Sequence, residues 1–212
     1  MFAVTAVDVE FHALNLVGSG TETDNALIFF GEGPSHRGLV KNCQLSGGGS
    51  RGIRVNGSGG DADSTDIRVL DNYFSAFGGH AIMANHNAPR MQIRGNHIDN
   101  MTAASANGIW VGNGSEFSVI ANNIIEQSGD MGIECFNNGG PIVVSGNMIQ
   151  AITTFGISMD RSSGSTITGN VVQEASAGGT IGIELVQSDQ VTCSNNVVED
   201  FDTGISVNAL RS

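Results

Sequence analysis

The chain of 212 residues predicts an all-β solenoid of about eight stacked coils. Three observations predict it. A Gly or Ala leads into the same short apolar run seven times, an Asn recurs at one place between those runs, and 30 glycines with three prolines describe tight turns and small side chains.

The apolar runs come first. They centre on Ile53, Ile82, Ile109, Ile133, Ile157, Ile183 and Ile205, spaced 29, 27, 24, 24, 26 and 22 residues apart. That spacing is too irregular for a heptad or collagen period and regular enough for stacked coils. With Ala26-Leu27-Ile28-Phe29 as the first copy, eight coils result. Neighbouring side chains on a strand point to opposite faces. The inward column therefore reads Leu27, Ile53, Ile82, Ile109, Ile133, Ile157, Ile183, Ile205, followed two residues later by Phe29, Val55, Ala84, Val111, Cys135, Met159, Leu185 and Val207. The small residue before each marks a bend where a larger side chain would meet the next coil.

Between the runs lies a second motif, seen in Ile93-Arg94-Gly95-Asn96-His97-Ile98. It places Asn72, Asn96, Asn123, Asn147, Asn170 and Asn196 in one column. A carboxamide both donates and accepts, so a buried stack of them satisfies itself. Cys43 and Leu14 occupy the same column in the two earliest coils and end the ladder toward the N-terminus.

No Pro-rich or charge-rich linker divides residues 1–212, which read as one domain. The net charge of −12 and nine basic residues argue against nucleic acid, and no stretch approaches the ~18 apolar residues of a membrane helix. Met1-Phe2-Ala3-Val4 lacks the pattern of a signal peptide. Cys43, Cys135 and Cys193 have no metal-like spacing, and the latter two fall on inward columns as small core residues. In the longest loop, 56–66, Asp61, Asp63 and Asp66 offer a loose calcium site without the Gly and Glu of an EF-hand. No other cofactor is expected.

Gly-Ile strands, an Asn ladder and coils of 22 to 29 residues resemble the right-handed parallel β-helix of the pectate-lyase-like superfamily. The resemblance covers nearly the whole chain. It implies the fold and a choice among polysaccharide lyases, polygalacturonases, alginate epimerases, phage tailspike depolymerases and non-catalytic adhesins. The Asp-Pro-His run of alginate epimerases, the paired Asp and Gly-His-Gly of polygalacturonases and the Arg-rich site of pectate lyases have no counterpart here. No capping helix precedes Val7 and the chain stops just after a core strand, so a fragment of a larger protein is expected, or ends covered by another chain.

Outward, the Gly-Ile strands carry Ile28, Arg54, Met83, Trp110, Glu134, Ser158, Glu184 and Ser206, then Phe30, Asn56, Asn85, Gly112, Phe136, Asp160, Val186 and Asn208. Coil and residue spacings put Glu134 and Glu184 roughly 9 to 10 Å apart, with Asp160 about 8 Å from each. Inverting glycosidases separate their carboxyls by about 6.5 to 9.5 Å. Trp110 stands one coil away as a platform for a sugar ring. The hydrolase reading makes one of Glu134 and Asp160 a protonated acid and the other the base, tuned by Glu184, with Trp110, Arg54, His80 and Phe136 lining the substrate. The carboxylate arrangement is similar in type to that of tailspike depolymerases.

Two other readings stay open. Outward positions of any soluble β-helix are polar, so the same residues also fit a non-catalytic glycan-binding or structural module. Alternatively, His80 or His86 as base with Arg54 neutralising a uronate would serve a lyase or C5-epimerase. The partner in each case is a polysaccharide, and the location extracellular or on a virion. Along the ladder, Tyr73, Ile124, Met148, Val171 and Val197 point outward and predict self-association, as a trimer.

Overall fold

The computed structural model describes residues 2–18, 26–31, 33, 35–47, 51–57, 64–101, 103–174 and 179–208. Its strands fall into three parallel sheets of nine, eight and eight strands, and the chain visits the three in rotation. Every strand thus pairs with its equivalent one coil earlier and one coil later, which is a parallel β-helix. Parallel crossovers of this kind are right-handed. Eight successive three-strand turns run from Phe2–Val4 to Val197–Glu199, and Thr203–Asn208 adds a last strand to the first sheet.

The first sheet is built from the Gly-Ile strands. Ile53 pairs with Ile82, Ile82 with Ile109, and so through Ile133, Ile157 and Ile183 to Ile205. The first copy departs from expectation. Ile28 pairs with Ile53 and Phe30 with Val55, and both side chains are fully buried, while Leu27 and Phe29 are half-buried. Four apolar residues in a row carry no alternation, and Ala26-Leu27 imitates the Gly-Ile step. The register is set by Phe30, which meets Phe11 edge-on with centroids 6.3 Å apart and closes the N-terminal end of the core with Phe2. The strand Phe2–Val4, pairing with Ala26–Phe30, adds a first-sheet strand ahead of the expected first copy.

The ladder forms at the corner between the second and third sheets. Asn96 donates from its backbone N–H and from Nδ2 to Asn123 Oδ1, both at 3.0 Å, and Asn123 Nδ2 donates to Asn147 Oδ1 at 2.9 Å. Each amide also reaches a strand carbonyl, as Asn123 Nδ2 does Ile93 O at 3.0 Å. At the N-terminal end, the Cys43 N–H donates to Asn72 Oδ1. The residue before each ladder position holds a left-handed backbone. Ala13, Asn42, Asp71, Gly95, Asn122, Gly146, Gly169 and Asn195 have φ between 50° and 66°. Asn, Asp and Gly tolerate that region best, which explains the residue types that recur there. A shorter polar stack, not anticipated from the sequence, links Ser115, Asn138, Ser162 and Ser188 after the first sheet.

The inward columns form one continuous hydrophobic cluster. In the final strand the same column is open, with Ile205 51% and Val207 67% exposed, because that strand pairs on one side only among the described residues. On the third sheet Met148, Val171 and Val197 are exposed at 40 to 46%, whereas Tyr73 and Ile124 are half-buried with His97 between them in register.

Candidate functional site

The outward face of the first sheet aligns Arg54, Met83, Trp110, Glu134, Ser158, Glu184 and Ser206 on successive coils. Two residues further along, Phe136 pairs with Asp160. Alternation on a parallel sheet places these side chains together, as the sequence predicts. Outward is not always exposed, however. Met83, Asn85 and Ser158 are buried, and Gly112 is the seat of an indole: a Cβ there would lie 2.9 Å from Trp110 Cζ2.

Glu134 is the centre of this face. Its Oε2 accepts from Asn107 Nδ2 at 2.6 Å, and Trp110 stands beside it in register on the preceding coil. Burial pushes the carboxyl above the usual range against the opposing effects of Trp110 and Asn107, and the charges of Asp130 and Asp160 add to the rise. A half-buried carboxyl held in fixed geometry with a raised pKa is suited to donate a proton.

Asp160 pairs with Arg161, whose Nε lies 3.2 Å from Oδ1. The same guanidinium covers Phe136, 4.6 Å from the ring centroid, so one face of Phe136 is occupied. Glu184 accepts from Ser158 Oγ at 3.2 Å, and the charges that act on Glu134 are Asp130 and Asp160 rather than Glu184. Arg54 lies over Phe29, 5.3 Å from its centroid, three coils from Glu134. The structure therefore brings together Trp110, Glu134 and Asp160, and sets Glu184 and Arg54 to either side.

His80 joins the group differently from expectation. Its ring lies beside Trp110, 15° from parallel, and its Nδ1 accepts the backbone N–H of Asn107 at 3.2 Å. Burial, with the charge of Arg51 second, lowers its pKa to about 4. A neutral imidazole whose Nδ1 lone pair is engaged carries its proton on Nε2 and has no free lone pair for a substrate proton. His86 is exposed on a left-handed turn.

Asn107 and Asp130 were not singled out from the sequence. Asn107 precedes Gly108 where His80 precedes Ala81 and Met131 precedes Gly132, a polar residue at the rim of the strand that alignment of the coils exposes. Asp130 accepts from Thr154 Oγ1 at 2.6 Å. Of the acidic loop, Asp61 and Asp63 lie outside the described residues, and Asp66 is held by Arg90 through bonds of 2.7 and 2.8 Å.

The fold has well-matched counterparts among solved structures. Tailspike protein 3 of bacteriophage CBA120 superposes with a TM-score of 0.69 at 15% identity, over 88% of this chain and 33% of that one. The surface adhesin PfbA of Streptococcus pneumoniae gives 0.61 at 14%, over 95% and 61%. A double mutant of the periplasmic alginate epimerase AlgG gives 0.57 at 16%, over 89% and 50%. The chain spans from a third to about three-fifths of these proteins' lengths. No curated protein matches the sequence.

The model of a family described as periplasmic copper-binding protein (NosD) matches residues 52–211. Among the described residues copper finds no ready ligand set. Among the described residues no group of three or more His, Cys, Asp or Glu comes together, Cys43 and Cys135 are buried in the core, and His80 Nδ1 is already engaged. The family match concerns the solenoid itself, and since it covers most of the sequence, this chain belongs to the NosD family of parallel β-helix proteins.

Proposed function

We propose that this protein acts on carbohydrate, hydrolysing a surface or capsular polysaccharide on the outward face of its first sheet, outside the cytoplasm or on a virion. One observation carries the reading: the Glu134 carboxyl is held by Asn107 beside Trp110, with its pKa pushed up by burial, one coil from the Asp160 carboxylate. In this reading Glu134 protonates the glycosidic oxygen, Asp160 activates water, and Trp110 supports a sugar ring. The solved structures of similar fold include a tailspike and an alginate epimerase, which agrees with a glycan partner.

The test is reducing-end release from a panel of bacterial polysaccharides. Wild type is expected to release ends from at least one, and Glu134→Gln or Asp160→Asn to abolish release. Turnover that survives both changes overturns the assignment. Products with the ultraviolet chromophore of β-elimination would mark a lyase, a reading that the engaged Nδ1 of His80 disfavours. Binding that depends on Trp110 with no turnover by any variant would mark a non-catalytic module.

A further inference from the structure

We propose that Asn107 is the positioning residue of this site, a buried clamp that fixes the Glu134 carboxyl beside Trp110. The side chain is 2% exposed and spans two coils. Its Oδ1 accepts the backbone N–H of Met131 at 3.2 Å, and its Nδ2 donates to Glu134 Oε2 at 2.6 Å. The orientation of the amide follows from chemistry: a backbone N–H requires the oxygen, so the nitrogen must face Glu134. Its own backbone N–H meanwhile holds His80 Nδ1. One residue thus ties the neutral imidazole, the next coil's backbone and the acid into one unit.

Asparagine alone among residues of this size offers both halves of the clamp. Aspartate keeps an acceptor for Met131 but turns an oxygen toward Glu134, so the two carboxyls must share a proton. Alanine removes the donor and leaves Glu134 to burial and its acidic neighbours. Both changes therefore raise the pH at which Glu134 loses its proton. The other charges facing this carboxyl are Asp130 ahead of its own strand and Asp160 on the next coil, the latter paired with Arg161. Beyond Trp110 lie His80 and the Arg51 charge that acts on it.

The catalytic consequence rests on reading Glu134 as the acid, while the clamp itself is read without an assay of turnover. Trp110 is the chain's only tryptophan, so its fluorescence reports the carboxyl beside it on the next coil. Wild type is expected to show a transition with a midpoint above the ordinary Glu value of 4.5 that Glu134→Gln lacks, distinct from the change near 4 that the His80 ring against the indole produces in both. Asn107→Asp and Asn107→Ala, with far-ultraviolet circular dichroism verifying the fold, are each expected to move that midpoint upward by about one pH unit. If Asn107→Asp does not fold, Asn107→Ala decides. A midpoint unmoved or lowered in the folded variant overturns the clamp. An unmoved midpoint alongside Glu134-dependent hydrolysis overturns the clamp alone, and a raised midpoint without hydrolysis by wild type supports the clamp and overturns the hydrolase reading.

Discussion

The imidazole of His80 lies against the Trp110 indole with ring centroids 6.0 Å apart and planes 15° from parallel. The contact keeps the imidazole from water and is one reason that it stays neutral. Its folded pKa of about 4 lies below the unfolded value of 6.5. The stability that His80 contributes is therefore complete above pH 6.5 and lost as pH falls toward about 4. An NMR titration of the His80 ring is expected to give a midpoint near 4, with the Nε2-protonated tautomer at neutral pH. Glu134 works in the opposite sense, because its folded pKa is raised: its contribution is fullest below the unfolded value and declines as pH rises through the folded one.

Loss of a ladder residue should depend on its place in the stack. Asn123→Ala removes the acceptor for the Asn96 N–H and Nδ2 and the donor for Ile93 O and Asn147 Oδ1, all buried. The expected cost is about 3 to 5 kcal/mol by urea denaturation. Asn196→Ala, at the partly exposed end, is expected to cost about 1 to 2 kcal/mol.

The glycine column makes a similar comparison. A Cβ on Gly156 would fall 2.1 Å from Val172 Cγ1 and 2.6 Å from Gly182 O, whereas one on Gly204 meets nothing closer than 4.0 Å. Gly156→Ala is expected to lower stability by about 2 to 3 kcal/mol, and Gly204→Ala to leave it nearly unchanged, in the same denaturation measurement. Ala81 holds the equivalent place on its own coil, so the constraint belongs to particular coils.

The two ladders of information in the sequence were legible for one physical reason: coils superimpose, so residue type and spacing determine a side chain's neighbours. Superposition places Ile53 through Ile205, Asn72 through Asn196, and Trp110 beside Glu134. It fails where alternation is absent, as in Leu27-Ile28-Phe29-Phe30, whose register depends on the aromatic packing of Phe11 and Phe30. It fails also where a side chain reaches across coils. Asn107 is read only as a residue before a glycine until its amide is seen on Glu134, and Glu184 looks like a partner of Glu134 until Ser158 is seen to engage it.

Self-association is expected through the third sheet, where Met148, Val171 and Val197 stand exposed on successive coils. Sedimentation equilibrium should find an oligomer, a trimer in this reading, that Val171→Lys dissociates while leaving the fold intact. A wild-type monomer at every concentration tested would remove this face from consideration.

The protonation of Glu134 is central to the site, and a carbon-13 NMR titration of the carboxyl groups reads it directly. One resonance, absent from Glu134→Gln, is expected to titrate with a midpoint above the ordinary value of 4.5. A Glu134 resonance that titrates at or below 4.5 would contradict a proton-donating Glu134, because the carboxyl would then be an ordinary surface charge.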